Sequence, residues 1–147
     1  MSRRQDSSRS EPKSVGVRWT IVVLVVAATA FAGCGRADDD RAVRTVTTRF
    51  LEAVEDGDGS RACTLLSPGA LEALEHDESA PCPRAAPELE LEPGAVTRTQ
   101  VFATEAKVDL DGGESAFLEL TSNGWRLSAA GCTPGGPDEP YECELEA

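Results

Sequence analysis

Five cysteines, a single histidine and one acidic glycine-rich run are the positions where this sequence could do chemistry. Cys63, Cys82, Cys132 and Cys143 show no C-x-x-C spacing, and His76 has no partner at ligand spacing, so a zinc site is not indicated. The run Asp56-Gly57-Asp58-Gly59-Ser60 opens like a calcium loop. Arg61 then stands where an EF-hand needs glycine, and Ser67 where it needs a bidentate glutamate. The run reads instead as a helix stop. His76, beside Asp77 and Glu78, reads as solvated. No metal and no cofactor are expected.

The same four cysteines make disulfides the expected chemistry, because they are even in number and, with Cys34 set aside, leave no thiol over. Three pairings are possible. Cys63–Cys82 with Cys132–Cys143 is favoured, since each closes a local loop whose ends can meet. In a chain-entropy picture each such loop contributes about 3 kcal/mol. With one Met, one Tyr and four Phe, the core is poor in large side chains and benefits from these links.

Cys34 belongs to a different context. Arg3, Arg4, Arg9, Lys13 and Arg18 precede an uncharged run over 19–33, the pattern of an export signal. That run is short for a permanent span, which needs about 20 apolar residues. Ser2-Arg3-Arg4 hints at a twin-arginine signal, although Gln5-Asp6 stand where apolar residues should follow. The sequence Phe31-Ala32-Gly33-Cys34 resembles the lipobox of bacterial lipoproteins, with Phe31 where an aliphatic residue is usual. The resemblance implies that Cys34 receives a diacylglyceryl group and becomes the new N-terminus, holding the protein to a membrane outside the cytoplasm. Ala30-Phe31-Ala32 also fits ordinary signal cleavage, and an uncleaved anchor is a third possibility. Residues 1–33 are thus expected as signal, 34–40 as an acidic tether and 41–147 as the folded domain.

Past the leader the chain carries nine basic and 24 acidic side chains, net −15. A body this acidic does not bind nucleic acid by neutralising phosphates. It is also repelled by anionic headgroups, which suits a domain standing off its membrane.

The elements follow from periodicity. A helix is expected from Asp38, with Val43, Val46, Phe50, Leu51 and Val54 as its apolar stripe and Gly57 and Gly59 at its end. A second helix over 60–66 would be capped by Ser60. A third would start at Ser67-Pro68, with Ser67 as cap and Pro68 in the first turn. Residues 77–94 hold four prolines and read as an extended connection, with a charged edge strand over 88–92. A meander follows. Ala106, Val108, Leu110, Ala116, Leu118, Leu120, Trp125, Leu127 and Ala129 face inward. Lys107, Asp109, Glu119 and Arg126 face water, with Lys107, Glu119 and Arg126 side by side. Asp111-Gly112-Gly113 and Ser122-Asn123-Gly124 are the turns. A proline-rich loop between Cys132 and Cys143, containing Tyr141, pins a last short strand.

Helices first and a curved antiparallel sheet of about four strands afterwards give an α+β fold with two disulfides. Over about 38–131, ending in Gly124-Trp125-Arg126-Leu127, the order resembles the NTF2-like (SnoaL, ketosteroid-isomerase) superfamily. Ala62-Cys63-Thr64-Leu65-Leu66-Ser67, with Gly-Trp-Arg-Leu before Cys132, also resembles small envelope lipoproteins of high-GC Gram-positive bacteria. Enzymes of the NTF2-like class use a carboxylate inside the cone between helix and sheet, its pKa raised by burial. The inward-facing set here contains no acid, histidine or tyrosine, so no catalytic residue is assigned. The expected role is a tethered binding or scaffold module for an envelope partner or a small apolar ligand. The alternative is an isomerase- or hydrolase-type enzyme acting on a small apolar substrate.

Overall fold

The computed structural model describes residues 34–136 and 139–147. The signal segment 1–33 lies outside them. The chain divides into two units, Met1–Gly35 and Arg36–Ala147, and the fold below is that of the second.

Helix α1 runs Cys34–Glu55, four residues longer at its start than expected. The stretch 34–40, expected as a tether, supplies its first turns. Pairs one turn apart favour this: Arg41 reaches Asp38 at 2.9 Å and Arg44 reaches Asp40 at 3.1 Å. The helix stops in a Schellman arrangement. Gly57, at φ +70°, donates to the Val54 carbonyl, and Asp58 N–H donates to that of Ala53.

Helix α2, Gly59–Cys63, is shorter than expected and is capped by Asp58 rather than Ser60, the Asp58 carboxylate accepting from Arg61 N–H at 3.0 Å. Asp58 follows the α1 stop in a non-helical conformation, φ −87° and ψ 72°, which suits a cap. Helix α3, Pro68–Asp77, starts as its sequence dictates, with the Ser67 hydroxyl accepting from Ala70 N–H. The segment expected to be extended holds helix α4, Cys82–Ala85, and a 3₁₀ turn, Ala86–Glu88. Pro83 and Pro87 occupy first-turn positions, where a missing N–H costs nothing. No strand forms over 88–92. A Cβ at Gly59 would collide with the Pro83 carbonyl, so glycine lets α2 touch α4, and the Cys63–Cys82 disulfide locks the pair.

Among the described residues the sheet is antiparallel and has six strands, not about four: β1 Val96–Phe102, β2 Glu105–Leu110, β3 Ser115–Thr121, β4 Gly124–Pro134, β5 Tyr141–Glu142 and β6 Leu145–Glu146. They lie in the order β1-β2-β3-β4-β5, with β6 also on β4. Leu127 in β4 exchanges backbone hydrogen bonds with Leu65 and Ser67 at 2.9 and 2.7 Å. The far edge of β4 is therefore covered successively by 65–67, β6 and β5. The Cys132–Cys143 disulfide fastens β4 to the link between β5 and β6.

The core joins Val43 and Phe50 of α1 to Val108, Leu118, Trp125 and Leu127 of the sheet. One inward expectation fails. Leu120 is 43% exposed, because it lies at the hairpin end of β3, where its neighbour Trp125 takes the buried place. Ala129 is buried as expected but stands outside the main core cluster, which Ala130 joins. The β3–β4 register is irregular there, and Gly131 at φ +65° supplies the left-handed residue that a bulge needs.

Candidate functional site

The space between α1 and the sheet is occupied by apolar side chains. Among the described residues the buried polar ones are Thr47, Ser67 and Ser115. Thr47 lies on α1 and donates its hydroxyl to the Val43 carbonyl at 3.0 Å, and Ser67 caps α3. Both are engaged in holding backbone. Asp109 and Glu119 lie on the outer face, as expected.

That outer face carries a built polar cluster. The β2–β3 register sets Lys107 opposite Phe117 and Asp109 opposite Ser115. The β4–β5 pairing brings Tyr141 over the same patch. Lys107 was expected beside Glu119 and Arg126. It turns instead to Asp109 at 2.8 Å, two residues along its own strand, and donates to the Tyr141 hydroxyl at 2.7 Å. Ser115 donates to the same Asp109 carboxylate at 3.1 Å. Glu119 and Arg126 are register partners, while Arg126 donates to the Trp125 carbonyl. Tyr141 packs edge-on against Phe117, with ring centroids 5.2 Å apart.

The hydrogen bond from Lys107, and then that from Ser115, hold Asp109 below the ordinary aspartate range against the opposing effect of burial. Asp109, then Tyr141, raise Lys107 above its ordinary value. An ammonium held this firmly in its charged form is not a nucleophile. It polarises the phenol. Because Tyr141 Oη accepts from Lys107, its own hydrogen is free to donate. Beside it opens a cleft of about 370 Å³ lined by Phe117, Ser128, Ala129, Pro140, Tyr141 and Glu146. An adjoining hollow of about 240 Å³ shares Phe117 and Ser128 and ends at Glu105 and Glu119. The pair of hollows offers aromatic walls, one free donor and a carboxylate rim.

No family model, curated protein or solved structure matches this chain.

The opposite end of the sheet is different in kind. Glu90, Glu114, Thr133, Glu142 and Glu144 line a cleft of about 330 Å³. Glu114 Oε2 is buried and without a hydrogen-bond partner. Burial, then Glu92 and Glu144, push this carboxyl above the ordinary glutamate range, although a backbone hydrogen bond at Glu92 works the other way. Among the described residues no group of His, Cys, Asp or Glu is arranged to hold a metal ion. A third groove, about 340 Å³, runs between α1 and the following connection, with Leu51, Val54, Leu89 and Leu91 on its floor.

The remaining sequence candidates are placed as follows. His76 is exposed on α3. Asp56 pairs with Arg61 at 2.7 Å, and Asp58 is a cap. The favoured disulfides, Cys63–Cys82 and Cys132–Cys143, are the ones present. Cys34 is the first residue of α1. The Lys107–Tyr141 partnership had no local signature, since 34 residues separate the two. Its one sequence trace was Tyr141 standing beside a disulfide cysteine.

Proposed function

We propose that this protein is an extracytoplasmic lipoprotein, acylated on Cys34 after removal of 1–33, whose folded unit is a binding module. Its ligand is small, with an apolar body and a hydrogen-bond acceptor, and it sits on the outer face of the sheet beside Phe117 and Tyr141. The observation that carries the binding site is the Lys107–Tyr141 hydrogen bond, which leaves the phenolic hydrogen free to donate beside an aromatic-walled cleft. The paired cysteines support an oxidising location. The helix-first, meander-last order also supports an NTF2-like relationship.

Anilinonaphthalene sulfonate, which combines fused rings with acceptor oxygens, is a suitable probe. Its fluorescence should rise on binding the protein. Tyr141→Phe should weaken that binding about tenfold, the worth of one hydrogen bond to a polarised donor. Phe117→Ala should weaken it further. Binding unchanged in both variants rejects this site. The address has its own test. Mass spectrometry of the membrane fraction should find a peptide beginning at a diacylated Cys34, and Cys34→Ala should leave an unlipidated chain.

A further inference from the structure

The hairpin tips at one end of the sheet form a partly apolar rim. Phe102 is 62% exposed and Leu120 43%, the two large apolar side chains left open to solvent among the described residues. Backbone bonding brings them together: Leu120 N–H donates to the Thr104 carbonyl at 2.8 Å, two residues from Phe102. The tip segments 101–104 and 120–125 hold no charged residue, in a chain that is 27% charged. Ala103 sits at φ +53°, where glycine or asparagine would be relaxed, so a methyl is kept at this tip at some strain.

The far end of the same strands carries Glu90, Glu92, Asp111, Glu114, Glu142 and Glu144. Strand β3 alone separates the two ends by roughly 20 Å. The folded unit is therefore polarised along its strands, strongly acidic at one end and less so at the other, where apolar tips stand beside Glu105 and Glu119.

The start of α1 belongs to the less acidic end. Trp125, opposite Leu120 in the β3–β4 register, donates its indole N–H to Asp39 at 3.1 Å. Asp38 and Asp40 are paired with Arg41 and Arg44, so these acids are locally balanced. Glu105, the register partner of Phe102, and Glu119 opposite it are the charges beside the rim, the second in register with Arg126. Cys34 lies five residues before Asp39, a reach of at most about 18 Å even if fully extended.

We infer that this rim rests in the headgroup region of the bilayer, with Phe102 and Leu120 as its apolar contacts and the acidic end turned away. The inference rests on the proposed acylation of Cys34. The bilayer is the occupant that both facts select. A lipid on Cys34 holds this end within reach of the surface, and anionic lipids repel the more acidic other end more strongly. The acidic body thus orients at the membrane instead of simply standing off it.

The test uses the full chain, expressed in a lipoprotein-processing bacterium and reconstituted into vesicles of phosphatidylcholine and phosphatidylglycerol with brominated acyl chains. Phe102→Trp and Glu90→Trp place an indole at each end, both at exposed positions. The introduced indole at 102 should lose about half its emission or more relative to unbrominated vesicles, since interfacial apolar groups sit about 5–10 Å into the headgroup boundary. The indole at 90 and the parent Trp125 should be unaffected. Intact mass on the same sample reports whether Cys34 carries lipid. Lipidated protein without quenching at 102 overturns the inference and leaves the anchor standing. Absence of lipid on Cys34 overturns both.

Discussion

The two ends of the sheet are built from the same strands and handle charge in different ways. At the α1 end the acids of the helix have partners, Asp38 with Arg41, Asp40 with Arg44 and Asp39 with the Trp125 indole, while Glu105 and Glu119 stand opposite each other in the β2–β3 register. At the other end Glu114 leaves a buried oxygen unpartnered among further glutamates. Midway, on the outer face, Asp109 is satisfied by Lys107 and Ser115. The difference teaches that the net charge of −15 past the leader is not spread evenly through the structure. The repulsion is concentrated where the C-terminal strands close over the sheet, and that closure is held by the Cys132–Cys143 bond.

Trp125→Ala should break the comparison from the less acidic end. It empties a core position and leaves Asp39 without its donor, so stability should fall by about 4 kcal/mol in urea unfolding. At the acidic end, replacing both Cys132 and Cys143 by serine should cost about 3 kcal/mol. Hydrogen exchange should then rise first in β5 and β6, where repulsion is no longer restrained.

Glu114→Gln should go the other way and stabilise the fold at neutral pH by about 1 kcal/mol, because a charge is removed from a site that disfavours it. The pH dependence distinguishes the regions. Glu114 titrates above its ordinary value in the fold, so its cost is present at neutral pH and disappears as pH falls through that raised value toward the ordinary one. Asp109 titrates below its ordinary value. Its contribution is present above the ordinary aspartate range and is lost as pH falls through the lowered value. Acid unfolding curves of Glu114→Gln and Asp109→Asn should therefore depart from the parent with opposite sign. The smallest effect is expected at the hairpin tip. Ala103→Gly relieves a left-handed alanine and should add roughly 0.5 kcal/mol, net of the extra freedom of the unfolded chain.

Local signals in the sequence were reliable where one residue type answers one backbone need. Ser67-Pro68 starts a helix, Gly57 stops one, and the glycine turns place the hairpins. The disulfide pairing followed from loop length. What was hidden depends on partners distant in the chain. The alternation over 88–92 reads as a strand, yet β4 already has its edge covered, so Leu89 and Leu91 pack against the core without sheet pairing. Strands β5 and β6 are two residues each, too short for any periodicity to register. Ala130 joins the core cluster and Ala129 stands outside it because of a bulge that only Gly131 hints at. On the candidate site, the acidic and basic members of the outer face were legible from alternation. Their pairing was not, because Lys107 chooses between Asp109, Glu119 and Tyr141 by geometry that strands brought together late in the chain create.

The bond between Asp39 and Trp125 spans 86 residues, whereas the disulfides span 19 and 11. During synthesis or threading through a translocase, α1 emerges first but cannot bury its stripe until β4 has followed. Such a non-local closure is slow, and the waiting helix exposes Val43 and Phe50 to wrong partners. The Cys63–Cys82 pair lies between Asp39 and Trp125 and can oxidise before that closure, which shortens the loose chain while it waits. Folding of this protein should therefore proceed faster with those two sulfurs already joined than with them reduced.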